Sequence, residues 1–185
     1  MEIVDKKNLE RITFKNLREE SSSIERSKVV INVELYLENI FSKGLLKNYV
    51  GIYWPLKNEV DIRSVKNNYP AALPRCEKDR ELIFCAWDKK ILTKDFQGIL
   101  SPEPSNLLIS SQISLIFVPC LSVDKDLTRL GYGGGYFDKL RRDKNWRKIP
   151  CIGVLTSNCI SENLLTKADW DIPLSGYITE EEIFI

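Results

Sequence analysis

The sequence predicts an α/β fold, with helices packed on a largely parallel sheet. Short apolar runs rich in β-branched and aromatic residues recur along the chain, at Tyr49–Trp54, Leu82–Trp87, Ser114–Val118 and Ile152–Leu155. Stretches with helical spacing lie between or before them. Pro55 and Pro119 close two of the runs, as turn residues close buried strands. Strands alternating with helices give an α/β sandwich whose sheet is mainly parallel. No repeat, linker or low-complexity segment interrupts the pattern, so one domain over residues 1–185 is expected.

From the N-terminus, residues 5–20 are highly charged, with Leu9, Ile12 and Leu17 as a weak helical stripe. Lys15 and Arg18 share one face of that helix. On charge pattern alone they read as a solvated pair. Ser22 and Glu25 have the spacing of a capping box. Val30, Val33, Leu37, Ile40 and Phe41 follow at helical spacing until Gly44, which predicts a core-facing helix over 23–43. Tyr49–Trp54 is a strand, Lys57–Glu59 a polar loop and 62–67 a short helix. Strands follow at 71–73, before Pro74, and at Leu82–Trp87. Residues 101–105, with two prolines around Glu103, must be extended or turned. Ser114–Val118 is a buried strand that stops at Pro119, and Ile152–Leu155 is another strand. A short helix over 161–166 and a strand at Tyr177–Ile178 complete the reading.

Composition excludes several chemistries. Histidine is absent, which removes Ser-His and Cys-His catalysis and His-ligated metals. A metal here would need oxygen ligands, which suits magnesium or calcium. The five cysteines are odd in number and contain no C-x-x-C pair, so they read as buried thiols. A net charge of +1 implies no nucleic-acid partner, and the basic run 139–148 reads as a solvated helix end. No apolar run nears the about 20 residues of a membrane span, and no signal peptide is visible. A cytoplasmic protein is expected.

Arg129 to Leu140, RLGYGGGYFDKL, concentrates the chemistry. Four of the nine glycines, Gly131, Gly133, Gly134 and Gly135, fall within five positions between a strand and a helix start at Phe137 to Arg142. Glycines admit positive φ and bring backbone N–H groups close to a ligand. A helix start favours anions. Arg129 can add a charge-assisted contact, and Asp138 can hold a divalent cation bridging phosphates. A tight turn would also use glycines. The loop fits neither the P-loop nor the G-x-G-x-x-G pattern, because it lacks Gly-Lys-Ser/Thr and Tyr136 replaces a glycine. Spacing alone gives a phosphate loop of no standard type. In parallel sheets ligands bind beyond the strand carboxyl ends, so Glu59, this loop and Asp171 are expected in one cleft.

The same stretch, with Phe117-Val118-Pro119 and Asp124, resembles the signature of the 5-formyltetrahydrofolate cyclo-ligases. Lys15-Asn16-Leu17-Arg18, Tyr53-Trp54-Pro55, Glu59-Val60-Asp61, Leu73-Pro74-Arg75, Glu103-Pro104 and the 171–180 tail are also similar to that family. The resemblance implies a single three-layer α/β/α domain, a monomer, with 5-formyltetrahydrofolate as substrate, ATP as co-substrate and magnesium. It implies conversion to 5,10-methenyltetrahydrofolate, in which the formyl oxygen takes the γ-phosphoryl group and N10 then closes the ring. Lys15, Arg18, Arg129, Leu130, Gly131, Tyr132, Gly133, Gly134, Gly135 and Tyr136 would bind ATP. Trp54 and Glu59 would contact the folate, which the residues Gly131 to Gly135 would also border. Asp138 and Asp171 would hold magnesium. Phe14, Val123, Leu127, Cys159 and Trp170 depart from the family pattern, and a differently shaped turn is expected at Leu127. Two other readings stand beside this one: a catalytically silent relative that binds nucleotide or folate for regulation, and another phosphoryl-transfer enzyme on the same scaffold.

Overall fold

The computed structural model describes residues 3–88 and 91–185. The described residues form four α-helices: α1 (Ile3–Glu20), α2 (Ser23–Ser42), α3 (Tyr136–Leu140) and α4 (Lys144–Arg147). The strands are β1 (Tyr49–Gly51), β2 (Ala71–Cys76), β3 (Leu82–Ala86), β4 (Thr93–Lys94), β5 (Leu100–Ser101), β6 (Leu107–Leu108) and β7 (Ile113–Pro119). They continue with β8 (Ser122–Asp124), β9 (Arg129–Leu130), β10 (Cys151–Val154), β11 (Ile160–Ser161), β12 (Gly176–Ile178) and β13 (Ile183–Phe184).

The central sheet has the order β13-β12-β10-β7-β1-β2-β3-β6. The four pairs from β12 across to β2 are parallel, and both edges are antiparallel. Its middle strand shows why the apolar runs are continuous. Leu115 and Phe117 of β7 join a core with Val29, Val33 and Leu37 of α2. Ile116 and Val118 point the other way, into a core flanked by Phe137, Leu140 and Trp146. Side chains alternate along a strand, so a strand buried on both faces is apolar at every position. All five cysteines are buried thiols, and burial pushes Cys76 and Cys120 up to about 12.

Several elements depart from expectation for local reasons. The capping box of α2 is present, with Ser22 N donating to Glu25 Oε2 at 2.6 Å and Glu25 N to Ser22 Oγ at 3.1 Å. Its inner face is nevertheless set one position back: Val29 is fully buried while Phe41 is exposed. Strand β1 stops at Gly51, and the chain runs on as coil through buried Ile52 and Tyr53 to half-buried Trp54. Strand β2 passes through Pro74, because β1 covers only Ala71 and Ala72 and leaves an edge there that tolerates proline. No helix forms over 161–166. Its amides are taken by side chains instead: Leu165 N donates to Asp124 Oδ2 at 2.8 Å and Thr166 N to Glu10 Oε1 at 2.9 Å. Helix α3 is short, ending at Leu140. The turn at Leu127 keeps a glycine-like shape, with φ 60, contrary to the different turn expected for a leucine. Asp124 holds it, accepting from Asp126 N at 3.0 Å and Thr128 N at 2.9 Å.

Candidate active site

Strands β1 and β7 carry the chain to the same end of the sheet, where ligands bind in parallel α/β folds. After β1, the chain turns through Pro55 to Glu59. After β7, the three-stranded sheet β11-β8-β9 leads into the glycine loop. Helix α1 lies across both. Of its residues only Arg18 is buried, while Leu9 and Ile12 of the expected apolar stripe are exposed. This helix therefore brings its cations to the site, with Phe14 and Leu17 as its apolar contacts.

The loop is a bare backbone surrounded by arginines. Gly133 (φ 96) and Gly135 (φ 72) sit in the left-handed region that favours glycine. Gly134 does not, so its conformation places no such demand. Arg11 Nε donates to Gly131 O at 2.9 Å, and a side chain at Gly133 would fall 3.3 Å from the Arg11 guanidinium carbon. Arg129 pairs with Asp138 at 3.2 Å. Leu130 is buried against Leu121 and Leu165, with Phe14 of α1 packed on the same cluster, so its side chain braces the loop from beneath. That contact gives Phe14 an apolar role of its own. The Tyr136 hydroxyl accepts from Gln97 Nε2 at 2.7 Å.

Tyr132 joins this loop to Glu59. The Arg18 guanidinium lies 5.0 Å from the Tyr132 ring centroid and Lys15 Nζ 5.8 Å from it. Arg18 also faces Glu59, with Nη1 3.8 Å from Oε1, and both residues are 8% exposed. Glu59 Oε2 accepts from Leu56 N at 2.7 Å, whereas Oε1 and the Nε and Nη1 of Arg18 have no hydrogen-bond partner. Burial pushes the Glu59 carboxyl above its ordinary range, with the Leu56 amide and Arg18 opposing it. Burial beside Glu59 also raises Tyr132. Orphaned polar atoms this deep are costly and mark a place where a polar ligand is wanted. Trp54 stands close by in sequence, in an edge-to-face pair with Trp87 at 6.1 Å. Arg63 covers one face of Trp54 at 4.3 Å, so only part of the expected flat apolar surface is open.

The two aspartates expected at a metal are each paired with a cation. Asp171 accepts from Lys7 and from Ala168 N at 2.8 Å. Among the described residues no group of three or more acidic or cysteine side chains gathers for a metal. Magnesium held largely by phosphates needs only one or two carboxylates. Asp138, beside the loop and with Oδ2 outside its ion pair, fits that demand.

The sequence reading missed Lys7 and Arg11. The available signal was the repeat Lys7, Arg11, Lys15, Arg18 along one helix face.

Known proteins agree with this architecture. A profile of the 5-formyltetrahydrofolate cyclo-ligase family matches residues 49–180. The chain is 26% identical over 176 residues to the Haemophilus influenzae 5-formyltetrahydrofolate cyclo-ligase, covering 89% of this chain and 92% of that one. It is 25% identical over 166 residues to the Mycoplasma pneumoniae protein of the same name, covering 86% and 90%. The solved structure of Aquifex aeolicus 5,10-methenyltetrahydrofolate synthetase superposes with a TM-score of 0.77 at 28% identity, over 96% of this chain and 91% of that one. The synthetase structure from Mycoplasma pneumoniae shares the fold at a TM-score of 0.71 and 24% identity, over 94% and 98%. With the profile spanning the strands and loops that build the site, this chain belongs to the 5-formyltetrahydrofolate cyclo-ligase family.

Proposed function

We propose that this chain converts 5-formyltetrahydrofolate to 5,10-methenyltetrahydrofolate, consuming ATP and releasing ADP and phosphate. The observation that carries the reading is the meeting of two unlike subsites at Tyr132: an open cationic glycine loop and a buried Arg18–Glu59 pair with free polar atoms. One suits a triphosphate and the other a polar heterocycle.

In the proposed reaction the formyl oxygen attacks the γ-phosphorus, the bond to the β-phosphate oxygen breaks and ADP leaves. N10 then attacks the formyl carbon and loses its proton, the carbon–oxygen bond breaks, and the oxygen and proton leave as hydrogen phosphate. Such chemistry asks for positioning and charge neutralisation more than for an acid or base, which suits a chain without histidine. Arg11, Arg129, Lys15 and the amides of Gly131 to Gly135 would hold the phosphates. Arg18, assigned to ATP from sequence, would also orient Glu59 for the folate, since it faces both Glu59 and Tyr132. Glu59 Oε1 would accept from the pterin edge, and Trp54 would border the ring. Asp138 and Asp171 would hold magnesium, whose charge offsets that of the phosphates.

The test is the absorbance of methenyltetrahydrofolate formed from 5-formyltetrahydrofolate, with and without ATP–magnesium. Formation only with both supports the reading. Nucleotide binding without any turnover would overturn it.

A further inference from the structure

We propose that Arg80 is a further phosphate-binding residue, brought to the glycine loop by the turn between β2 and β3. This rests on the reading that the loop cradles ATP. Arg11 meets the loop at Gly131 and Gly133. Arg80 meets it at Gly135, where an added side chain would lie 3.8 Å from Arg80 Nη1. The guanidinium thus stands beside bare backbone at the point where the loop enters α3.

Its position is imposed by the chain. Asp79 (φ 55) and Arg80 (φ 60) are consecutive residues in the left-handed region. A residue with a Cβ adopts that conformation only when its surroundings require it, and such residues cluster at functional sites. The turn is closed by Glu77 N donating to Glu81 O at 2.8 Å and Glu81 N to Lys78 O at 3.1 Å. Lys139 of α3 donates to Asp79 O at 2.6 Å, which ties the turn to the helix following the glycines. Gln97, in the turn between β4 and β5, bonds the Tyr136 hydroxyl and so fixes the start of the same helix.

Its charge is also available. Arg11 is bonded to Gly131 and Asn8, Arg129 to Asp138, and Arg18 faces Glu59. Arg80 is exposed and makes no side-chain hydrogen bond or ion pair among the described residues. A planar guanidinium with its donors free matches a phosphate in two-pronged fashion. Removing Arg80 therefore costs ligand binding and leaves folding intact.

The experiment compares the chain with Arg80→Ala and Arg80→Lys variants by steady-state kinetics and by calorimetric titration of ATP–magnesium. Losing one such contact should raise the KM and Kd for ATP about tenfold. The folate KM and the melting temperature should stay unchanged, and lysine should restore part of the loss. Unaltered ATP affinity in Arg80→Ala overturns the proposal. So does a raised folate KM with normal ATP binding, which would assign the cation to the folate carboxylates. If the unmodified chain shows no turnover, the reaction assignment fails, and the titration still decides Arg80.

Discussion

Arg18 and Glu59 are each 8% exposed, whereas Tyr132, Gly133 and Gly134, on the other side of the same cleft, lie open. The dry half holds opposite charges 3.8 Å apart that lack full hydrogen bonding. The wet half holds arginines fixed to carbonyls and carboxylates around a loop with no side chains to bury. In the dry half the unmatched polar atoms are costly, and a polar ligand would satisfy them. In the wet half the charges are met by solvent or, for Arg129, by Asp138, so the geometry of the loop carries the specificity. Changes in the first half should register in stability as well as binding, and changes in the second mainly in binding.

The hardest test of that contrast is Arg18→Met, which strands Glu59 in a buried place. Breaking a buried pair from one side should cost about 3 kcal/mol at pH 7.5. Chemical unfolding should show this loss, and the double variant Arg18→Met/Glu59→Gln should recover most of it. Additive losses would mean the two charges do not interact.

Glu59→Gln comes next. It should weaken folate binding by about 1–3 kcal/mol, since pterin donors lose their charged acceptor, with ATP affinity near normal. The sign of the pH effect follows from burial. A carboxyl raised above its ordinary 4.5 binds its proton more tightly when folded. The unmodified chain therefore keeps this contribution below 4.5 and loses it as pH rises through the folded value. Glu59→Gln should flatten that decline, so its melting temperature relative to the unmodified chain should improve from pH 4.5 upward. A parallel pair of curves would contradict the burial argument.

Gly133→Ala probes the wet half. A side chain at φ 96 would cost about 1–2 kcal/mol and press on Arg11. ATP affinity should fall about tenfold or more, with folate binding spared. At Gly134 the φ is not positive, and a side chain would instead meet the Tyr136 ring at 3.0 Å. Unchanged ATP affinity in Gly133→Ala would refute the conformational reading. The smallest expected effect on stability is that of Asp138→Asn, below about 1 kcal/mol because its ion pair with Arg129 is partly exposed. Its signature should be a higher magnesium concentration for half-maximal activity. An unchanged magnesium requirement would remove Asp138 from the metal.

Much of this was legible from residue order alone. Alternating apolar runs and helical spacing determined an α/β protein with a mainly parallel sheet, because burial on both faces leaves no polar position from Leu115 to Val118 of β7. The glycine cluster marked the loop, because few other purposes gather so many residues without side chains. What only the tertiary structure decided were contacts between segments far apart in the chain. Glu59 could be placed at a strand end from sequence, but its burial against Arg18, from a helix far earlier in the chain, could not. Residues 161–166 carry helix-compatible residues, yet Asp124 and Glu10 capture their amides first. Phe41 matches the period of α2 but lies on its solvent side, since spacing fixes a face only to within one residue. Arg11 and Arg80 are ordinary surface cations in sequence, and only folding sets them against different glycines of one loop. Local pattern reports what each segment prefers, and a site depends on which segments meet.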